Sequence, residues 1–421
     1  MPWNKIRKLY WFSLVFSVMT IIATLLIYKD QLLHTTEKEL GCRLGSDCSR
    51  YDYKNSEKID SLSKPVRKED KLNHFYTYDK YQSQQTQQDR TEHLKRKCKE
   101  FGLNKSLNIS KLWKSFFFVN HKYKFVYCAM PKVGCTFMKR LLFVLDGKTQ
   151  SKNPYSIPAK WAHSLPLNTL QHKTKEDIEY YLKYYKKIVF VRDPIKRLLS
   201  AHTDKLASVT VGAWKHQGRP IMKKIRKNPT ETDLKCGHNT SFQEFLDYRI
   251  KQEESNKKPD MHFDMMYRTC HPCMIDYDFI GKMESFNNDV KYLLDSVNIA
   301  ENITFTEKFD VKMDYLKDMV HIFLTNINGA KNCGLDFKDC LKIFWKNLVQ
   351  RNVIPPRKIF PTLHENVARR ELIDIVVGLK ENIHDGSEKV NPIETISKET
   401  MLRIQELYKN DFELMGYEKY V

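Results

Sequence analysis

The chain has 421 residues, 41% of them hydrophobic, and carries 71 lysines and arginines against 51 acids, a net charge of +20. That much apolar material serves one large domain or two ordinary ones and excludes a chain too polar to build a core. The positive excess biases the surface toward polyanions, leaving nucleic acid, an anionic membrane, an acidic polysaccharide and a phosphorylated cofactor as partner classes.

Residues 9–28 (LYWFSLVFSVMTIIATLLIY) are twenty positions without a charge, about the length that crosses roughly 30 Å of hydrocarbon. A cleaved signal peptide would have a shorter apolar region ending in a small-residue site, and none is present. Lys5, Arg7 and Lys8 precede the stretch. The positive-inside rule therefore places residues 1–8 in the cytosol and everything from Lys29 on the far side, a single-pass type II arrangement. Four N-glycosylation acceptors, Asn104, Asn108, Asn239 and Asn302, and all ten cysteines follow the span, as a luminal location requires. An even cysteine count in an oxidising lumen implies disulfides, with pairing that sequence does not give. Cys270-His-Pro-Cys273 also has the form of a redox pair or half a zinc site. No second ligand pair accompanies it, so structural disulfides and no metal are expected. Beyond the membrane, nucleic acid drops out as a partner.

From Lys29 to Leu112 the chain is polar, with YQSQQTQQDR and little apolar periodicity, and reads as a luminal stem. Residues 113–421 are left as one globular domain. Two strand-to-helix units stand out in it. Phe125 to Ala129 is a short apolar run followed by a loop and a helix with Met138, Leu141, Leu142 and Leu145 on one face. KIVFV (187–191) is a second buried strand, after which Asp193 suits a cap, Pro194 a first helical position, and Ile195, Leu198, Leu199 and His202 recur at helical spacing. Between them Thr174-Lys-Glu-Asp177 has the form of a capping box. YDFIGKM (277–283) reads as a further strand, a helix is expected from about Asn287, and the last helix runs from Lys398 to Asp411. Strands alternating with helices predict an α/β fold, a central parallel sheet flanked by helices.

The first loop, PKVGCT (131–136), leads from a strand into a helix start, where free backbone N–H groups and the helix dipole favour an anion. Lys132 adds a full charge and Thr136 a hydroxyl. The G-x-x-x-x-G-K-[ST] pattern of a nucleotide triphosphatase is absent, which argues against ATP hydrolysis. In the second unit Arg192 ends a strand and Ser200 follows eight residues on, a guanidinium and a hydroxyl able to share one phosphate.

CAMPKVGCTFMKR and KIVFVRDPIKRLLSAHTDKL, with SFQEFLDY, CHPCMIDYDFIGKME and LYKNDFELMGY after them, resemble the Golgi carbohydrate sulfotransferases of the HNK-1 type, which include the chondroitin and dermatan 4-O-sulfotransferases. The resemblance implies a P-loop-like fold using 3′-phosphoadenylyl sulfate (PAPS) as sulfate donor. By position, Pro131, Lys132, Val133, Gly134, Cys135, Thr136 and Phe137 would hold the 5′-phosphosulfate. Arg192, Asp193, Pro194, Arg197, Leu198 and Ser200 would form the 3′-phosphate segment. Gly134 stands where the family commonly has alanine, Phe137-Met138 replaces an Asn-Trp pair, His202 replaces a tyrosine, and Phe263 a tryptophan.

Sulfuryl transfer needs in-line geometry and charge stabilisation. Lys132 is expected to stabilise the bridging oxygen of the leaving 3′,5′-ADP. A near-neutral pKa makes histidine the natural base for the acceptor hydroxyl. His163, which matches a family histidine, is the first candidate, His262 the second and Glu284 the third. The basic segment 215–227 (KHQGRPIMKKIRK) is a candidate contact for an acidic polymer. The resemblance, with the architecture of tail, span and stem, implies a type II Golgi enzyme sulfating a glycan hydroxyl, O-4 of N-acetylgalactosamine in chondroitin or dermatan. The alternatives are O-3 of terminal glucuronic acid, N-acetylgalactosamine on N-glycans, and a catalytically silent glycan-binding membrane protein.

Overall fold

The computed structural model describes residues 79–299, 303, 311–351, 353–354, 363–380 and 391–421. The tail 1–8, the span expected over 9–28, residues 29–78 and Asn302 lie outside the described residues. Among those described, no helix is long and apolar enough to cross a membrane.

A four-stranded sheet in the order β1-β2-β3-β4 organises the domain, with β1 at Phe117–Asn120, β2 at Phe125–Cys128, β3 at Lys186–Val191 and β4 at Phe279–Lys282. Pairs β2·β3 and β3·β4 are parallel, but β1·β2 is an antiparallel hairpin, so the sheet is mixed rather than wholly parallel. The four-residue connection 121–124 is too short for a parallel crossover. Helix α1 (Lys80–Glu100) covers the open edge of β4. Gln87 Oε1 accepts the Ile280 N–H at 3.0 Å, and Arg90 donates to the Ile280 carbonyl and to Asp289, both at 2.8 Å. Those contacts satisfy edge groups that would otherwise be left to another strand. Leu94 and Cys98 of α1 are buried in the sheet core. The folded unit thus includes α1, which lies within the stretch expected to be stem. α1 reads as stem because its buried face is carried by Gln87 as well as by apolar side chains.

Crossovers place α2 (Cys135–Leu145) after β2, α3 (Lys175–Tyr184) before β3 and α4 (Pro194–Lys205) after it. The expected capping box closes α3, where Thr174 and Asp177 exchange side-chain-to-backbone bonds. Helix α5 is Phe242–Glu254 and α6, after β4, is Phe286–Ser296. Helices α7 (Val311–Lys331), α8 (Phe337–Gln350) and α9 (Arg369–Lys380) form a separate apolar cluster around Phe323, Phe344 and Leu348. The last predicted helix is two, α10 (Lys398–Leu407) and α11 (Lys409–Met415), packed with α4 and α5 through Leu198, Phe245, Ile404, Tyr408 and Phe412.

Cys270 and Cys273 are not joined to each other: Cys128 bonds Cys270 and Cys98 bonds Cys273, while Cys236 bonds Cys333. Both members of the C-x-x-C are therefore structural, tying β2 and α1 to one loop. Asn104, Asn108 and Asn239 are exposed.

Candidate functional site

Two turns at the carboxyl ends of β2 and β3 build the site. After β2, Lys132 (φ +71°) and Gly134 (φ +82°) both take left-handed backbone, which turns the chain into α2. Gly134 is the N-cap of α2, and no side chain caps that helix start, so its dipole and first amides face the loop. Glycine is required here twice over. Its φ is left-handed, and a Cβ would stand 2.6 Å from the Phe286 ring. Phe286 fills the space that a family alanine would take. Phe137 packs against Tyr155 and Phe286 at 5.1 and 5.4 Å between centroids, and Met138 is fully buried, so this pair works as core. Pro131 and Val133 are buried too.

Lys132 does not extend freely. Its Nζ pairs with Asp204 at 2.9 Å, near the end of α4, and Asp204 is also approached by Arg351 at 3.4 Å and Lys205 at 3.8 Å. Burial lowers the Lys132 pKa against the pull of Asp204. Burial pushes the Asp204 carboxyl up, but Lys132, Arg351 and Lys205 overcome it and hold it well below the usual carboxylate range. Arg351 stacks over the Tyr315 ring at 4.4 Å. Asp318 shares a small cavity with Asp204, Tyr315 and Asn347, and burial, with Asp204 and Asp314 nearby, raises its pKa.

Arg192 follows β3 and donates through Nη1 to the Lys132 carbonyl at 3.3 Å, joining the two turns. Asp193 caps α4, accepting the Lys196 N–H at 2.8 Å, and Ser200 is half-buried further along that helix. The carboxylates beside Arg192 are engaged elsewhere. Glu284 accepts the Asp193 N–H at 3.2 Å and the Tyr417 hydroxyl at 2.9 Å, and Asp193 accepts the Tyr420 hydroxyl at 3.1 Å. Burial lowers the Arg192 pKa, with Glu284 and Asp193 opposing. Two residues of the expected phosphate segment face away. Arg197 is buried and donates to the carbonyls of Pro131 at 3.1 Å and Asp264 at 2.6 Å, and Leu198 lies in the apolar core. Arg197 thus braces the Lys132 loop from behind, while Pro194 is buried at the first position of α4.

The two histidine candidates converge despite their separation in sequence. His163 is exposed by area, yet enough protein surrounds the ring for burial to be the largest cause of a pKa lowered to about 4, followed by Lys139, Lys205 and His262. Its Nδ1 lies 3.3 Å from Lys139 Nζ. An ammonium can only donate, so this contact assigns the His163 proton to Nε2. His262 has the opposite arrangement: Nδ1 lies 2.6 Å from Asp260 Oδ1, which also accepts the His262 N–H at 2.9 Å. A carboxylate on Nδ1–H leaves the Nε2 lone pair open. Glu284 belongs to the Arg192 end and not to this cleft.

In the basic segment, Arg226 is spent on Asp233 at 2.7 Å and Glu244 at 2.6 Å, whereas Arg219, Lys223, Lys224 and Lys227 are exposed. Among the described residues no group of three or more His, Cys, Asp or Glu side chains is placed to hold a metal. Asp204, Asp260, Arg351, Tyr417 and Tyr420 have no role assigned by the motifs, although Asp204 lies within KIVFVRDPIKRLLSAHTDKL and Tyr417 ends LYKNDFELMGY.

Residues 115–319, just under half of the chain, match the family model described as "Sulfotransferase family". Carbohydrate sulfotransferase 11 of Mus musculus is 36% identical over 190 residues, 44% of this chain and 54% of that protein. Carbohydrate sulfotransferase 11 of Danio rerio is 34% identical over 221 residues, 52% of this chain and 62% of that protein. Carbohydrate sulfotransferase 9 of Homo sapiens is 33% identical over 251 residues, 56% of each chain. The matches thus span 54% to 62% of the length of these curated relatives. No solved structure matches.

Proposed function

We propose that the chain is a PAPS-dependent carbohydrate O-sulfotransferase acting on O-4 of N-acetylgalactosamine in chondroitin or dermatan, anchored in the Golgi membrane by residues 9–28 with its domain in the lumen. The observation that carries the reading is the bond from Arg192 to the Lys132 carbonyl. It makes one continuous basic wall from the open start of α2 to the end of β3, suited to a ligand with two separated anionic groups. The sulfotransferase family match and the carbohydrate sulfotransferase relatives support the same chemistry.

In this reading the α2 start and Lys132 hold the 5′-phosphosulfate, and Arg192 with Ser200 holds the 3′-phosphate. Lys132 exchanges Asp204 for the bridging oxygen as negative charge builds there, and Arg351 and Lys205 keep the vacated carboxylate compensated. His262 Nε2 takes the proton from the acceptor hydroxyl, with Asp260 orienting the ring. The acceptor oxygen forms the new bond to sulfur, and the bond from sulfur to the phosphate oxygen breaks in line with it. His163, Lys139 and Lys205 line the acceptor side and suit an anionic glycan.

The test incubates the full chain with labelled PAPS and a panel of desulfated chondroitin, desulfated dermatan, a glycan ending in glucuronic acid and an N-glycan ending in N-acetylgalactosamine. Sulfate on O-4 of the first two is expected. Transfer to no glycan, together with no binding of 3′,5′-ADP, would refute the enzyme reading.

A further inference from the structure

Helix α3 presents to solvent a row of aromatic rings that the core does not use. Tyr180 and Tyr184, one turn apart, are 53% and 60% exposed, and their ring centroids lie 4.9 Å apart. Tyr181 and Tyr185 continue the row at 5.1 Å, and His121, from the β1–β2 turn, closes it 5.2 Å from Tyr181. The inner end is fixed, because Tyr185 is buried and its hydroxyl bonds His121 Nδ1 at 3.2 Å. The outer end is open. Helix propensity gives no reason for tyrosine at the two outer positions, since lysine, glutamate or glutamine would favour the helix more.

The border of the row is basic. Lys183 Nζ lies 5.1 Å from the Tyr184 centroid, Lys122 and Lys124 are exposed beside His121, and Lys173 acts on His121 as a positive charge. Of the acids on α3, Glu179 pairs with Lys175 at 3.7 Å and Asp177 is held in the capping box, while Glu176 is exposed one turn before Tyr180.

The row is also remote from the transfer site. It sits where α3 enters β3 and where the β1–β2 turn enters β2, at the amino ends of these parallel strands. Lys132 and Arg192 follow the carboxyl ends. The six residues of β3 separate the two levels by roughly 20 Å at about 3.3 Å per residue.

We infer that this row is a second carbohydrate-binding surface, for an acidic polysaccharide chain; the inference rests on the glycan-acceptor reading above. The C–H face of a pyranose ring is slightly positive and meets the negative face of a tyrosine ring, which offers rigid, amphipathic area at little entropic cost. The bordering lysines complement uronate or sulfate groups. A polymer held here is tethered near the transfer site, so its next acceptor sugar arrives at a raised effective concentration. A trisaccharide is too short to gain from this.

The experiment compares the full-length wild type with Tyr180→Ser/Tyr184→Ser and Tyr180→Phe/Tyr184→Phe. Binding to immobilised desulfated chondroitin is measured without donor, and KM and kcat are measured for the polymer and for a trisaccharide cut from it. The serine pair should weaken polymer binding and raise polymer KM by about tenfold. It should leave the trisaccharide constants unchanged, and the phenylalanine pair should behave as wild type. Polymer binding by the serine pair equal to wild type overturns the inference while transfer itself persists. So does loss of binding to phosphatidylserine vesicles with polymer binding intact, which would make the row a membrane contact. A wild type that sulfates no glycan fails earlier and refutes the function reading, and this surface with it.

Discussion

Replacing His262 by alanine should cut kcat far more than replacing His163, although sequence favours His163 as base. The magnitude follows from the proton positions. With His262 as the base, its Nδ1 held by Asp260 at 2.6 Å, its loss should remove general-base catalysis, about 10²- to 10⁴-fold in kcat or ~3–5 kcal/mol of barrier. His163 faces the ammonium of Lys139 with Nδ1 and carries its proton on Nε2, so it has no free lone pair to offer. Its removal should cost less than about tenfold, the scale of one modest polar contact. Asp260→Asn is the sharper perturbation. The amide can turn its NH₂ toward Nδ1, forcing the ring proton onto Nε2, and kcat should fall nearly as far as in His262→Ala. The assay is single-turnover transfer from labelled PAPS to desulfated chondroitin at saturating donor, with 3′,5′-ADP binding as a control that should not move. A thousandfold loss in His163→Ala beside near-normal His262→Ala would refute the assignment.

Gly134→Ala should destabilise the domain by about 2 kcal/mol or more, from left-handed strain plus the clash with Phe286, read as a fall in Tm with weaker 3′,5′-ADP binding; an unchanged Tm would contradict the packing. Tyr417→Phe/Tyr420→Phe frees oxygens of Glu284 and Asp193 to pair with Arg192. The Kd for 3′,5′-ADP should then rise about three- to tenfold, and adding Glu284→Gln should recover part of it; a Kd equal to wild type would show that the tyrosines do not control Arg192. Buried His202 has its pKa pushed down to about 4, so its neutral form contributes stability that is complete above about 6.5 and is lost as pH falls toward 4, on the order of 3 kcal/mol. Asp204 has the same sign and adds a further loss below about 3.8. Urea midpoints should therefore drop between pH 7 and pH 4, and a flat profile would show these groups are not perturbed as their surroundings demand.

The strand-to-helix turns were legible because local chemistry writes them. KIVFV is a continuous apolar run, Asp-Pro marks a helix start, and both sit where the structure has β3 and α4. The antiparallel hairpin was less so, since FFFVNHKYKFVYC is apolar on both sides of a polar turn and does not state strand direction. α1 was missed because its burial depends on the polar Gln87 meeting a sheet edge nearly two hundred residues away. The site shows the same division. Lys132 and Arg192 announce themselves by position in a motif, whereas Asp204 and Arg351 gain meaning only from partners brought together by folding. Arg197 misled for a related reason: an arginine in a phosphate-like segment has the same letter whether its donors reach a ligand or the carbonyl of Pro131.

The Cys128–Cys270 and Cys98–Cys273 bridges are nested, one ring inside the other. Both turns of the candidate site, with His163, His262 and the aromatic row on α3, fall within the inner ring. A protease cutting once anywhere in that stretch would release nothing: the two pieces would stay covalently joined and would separate only after reduction. Synthesis meets the same topology from the other side, because neither Cys98 nor Cys128 can find its partner until the chain has been made as far as Cys270 and Cys273.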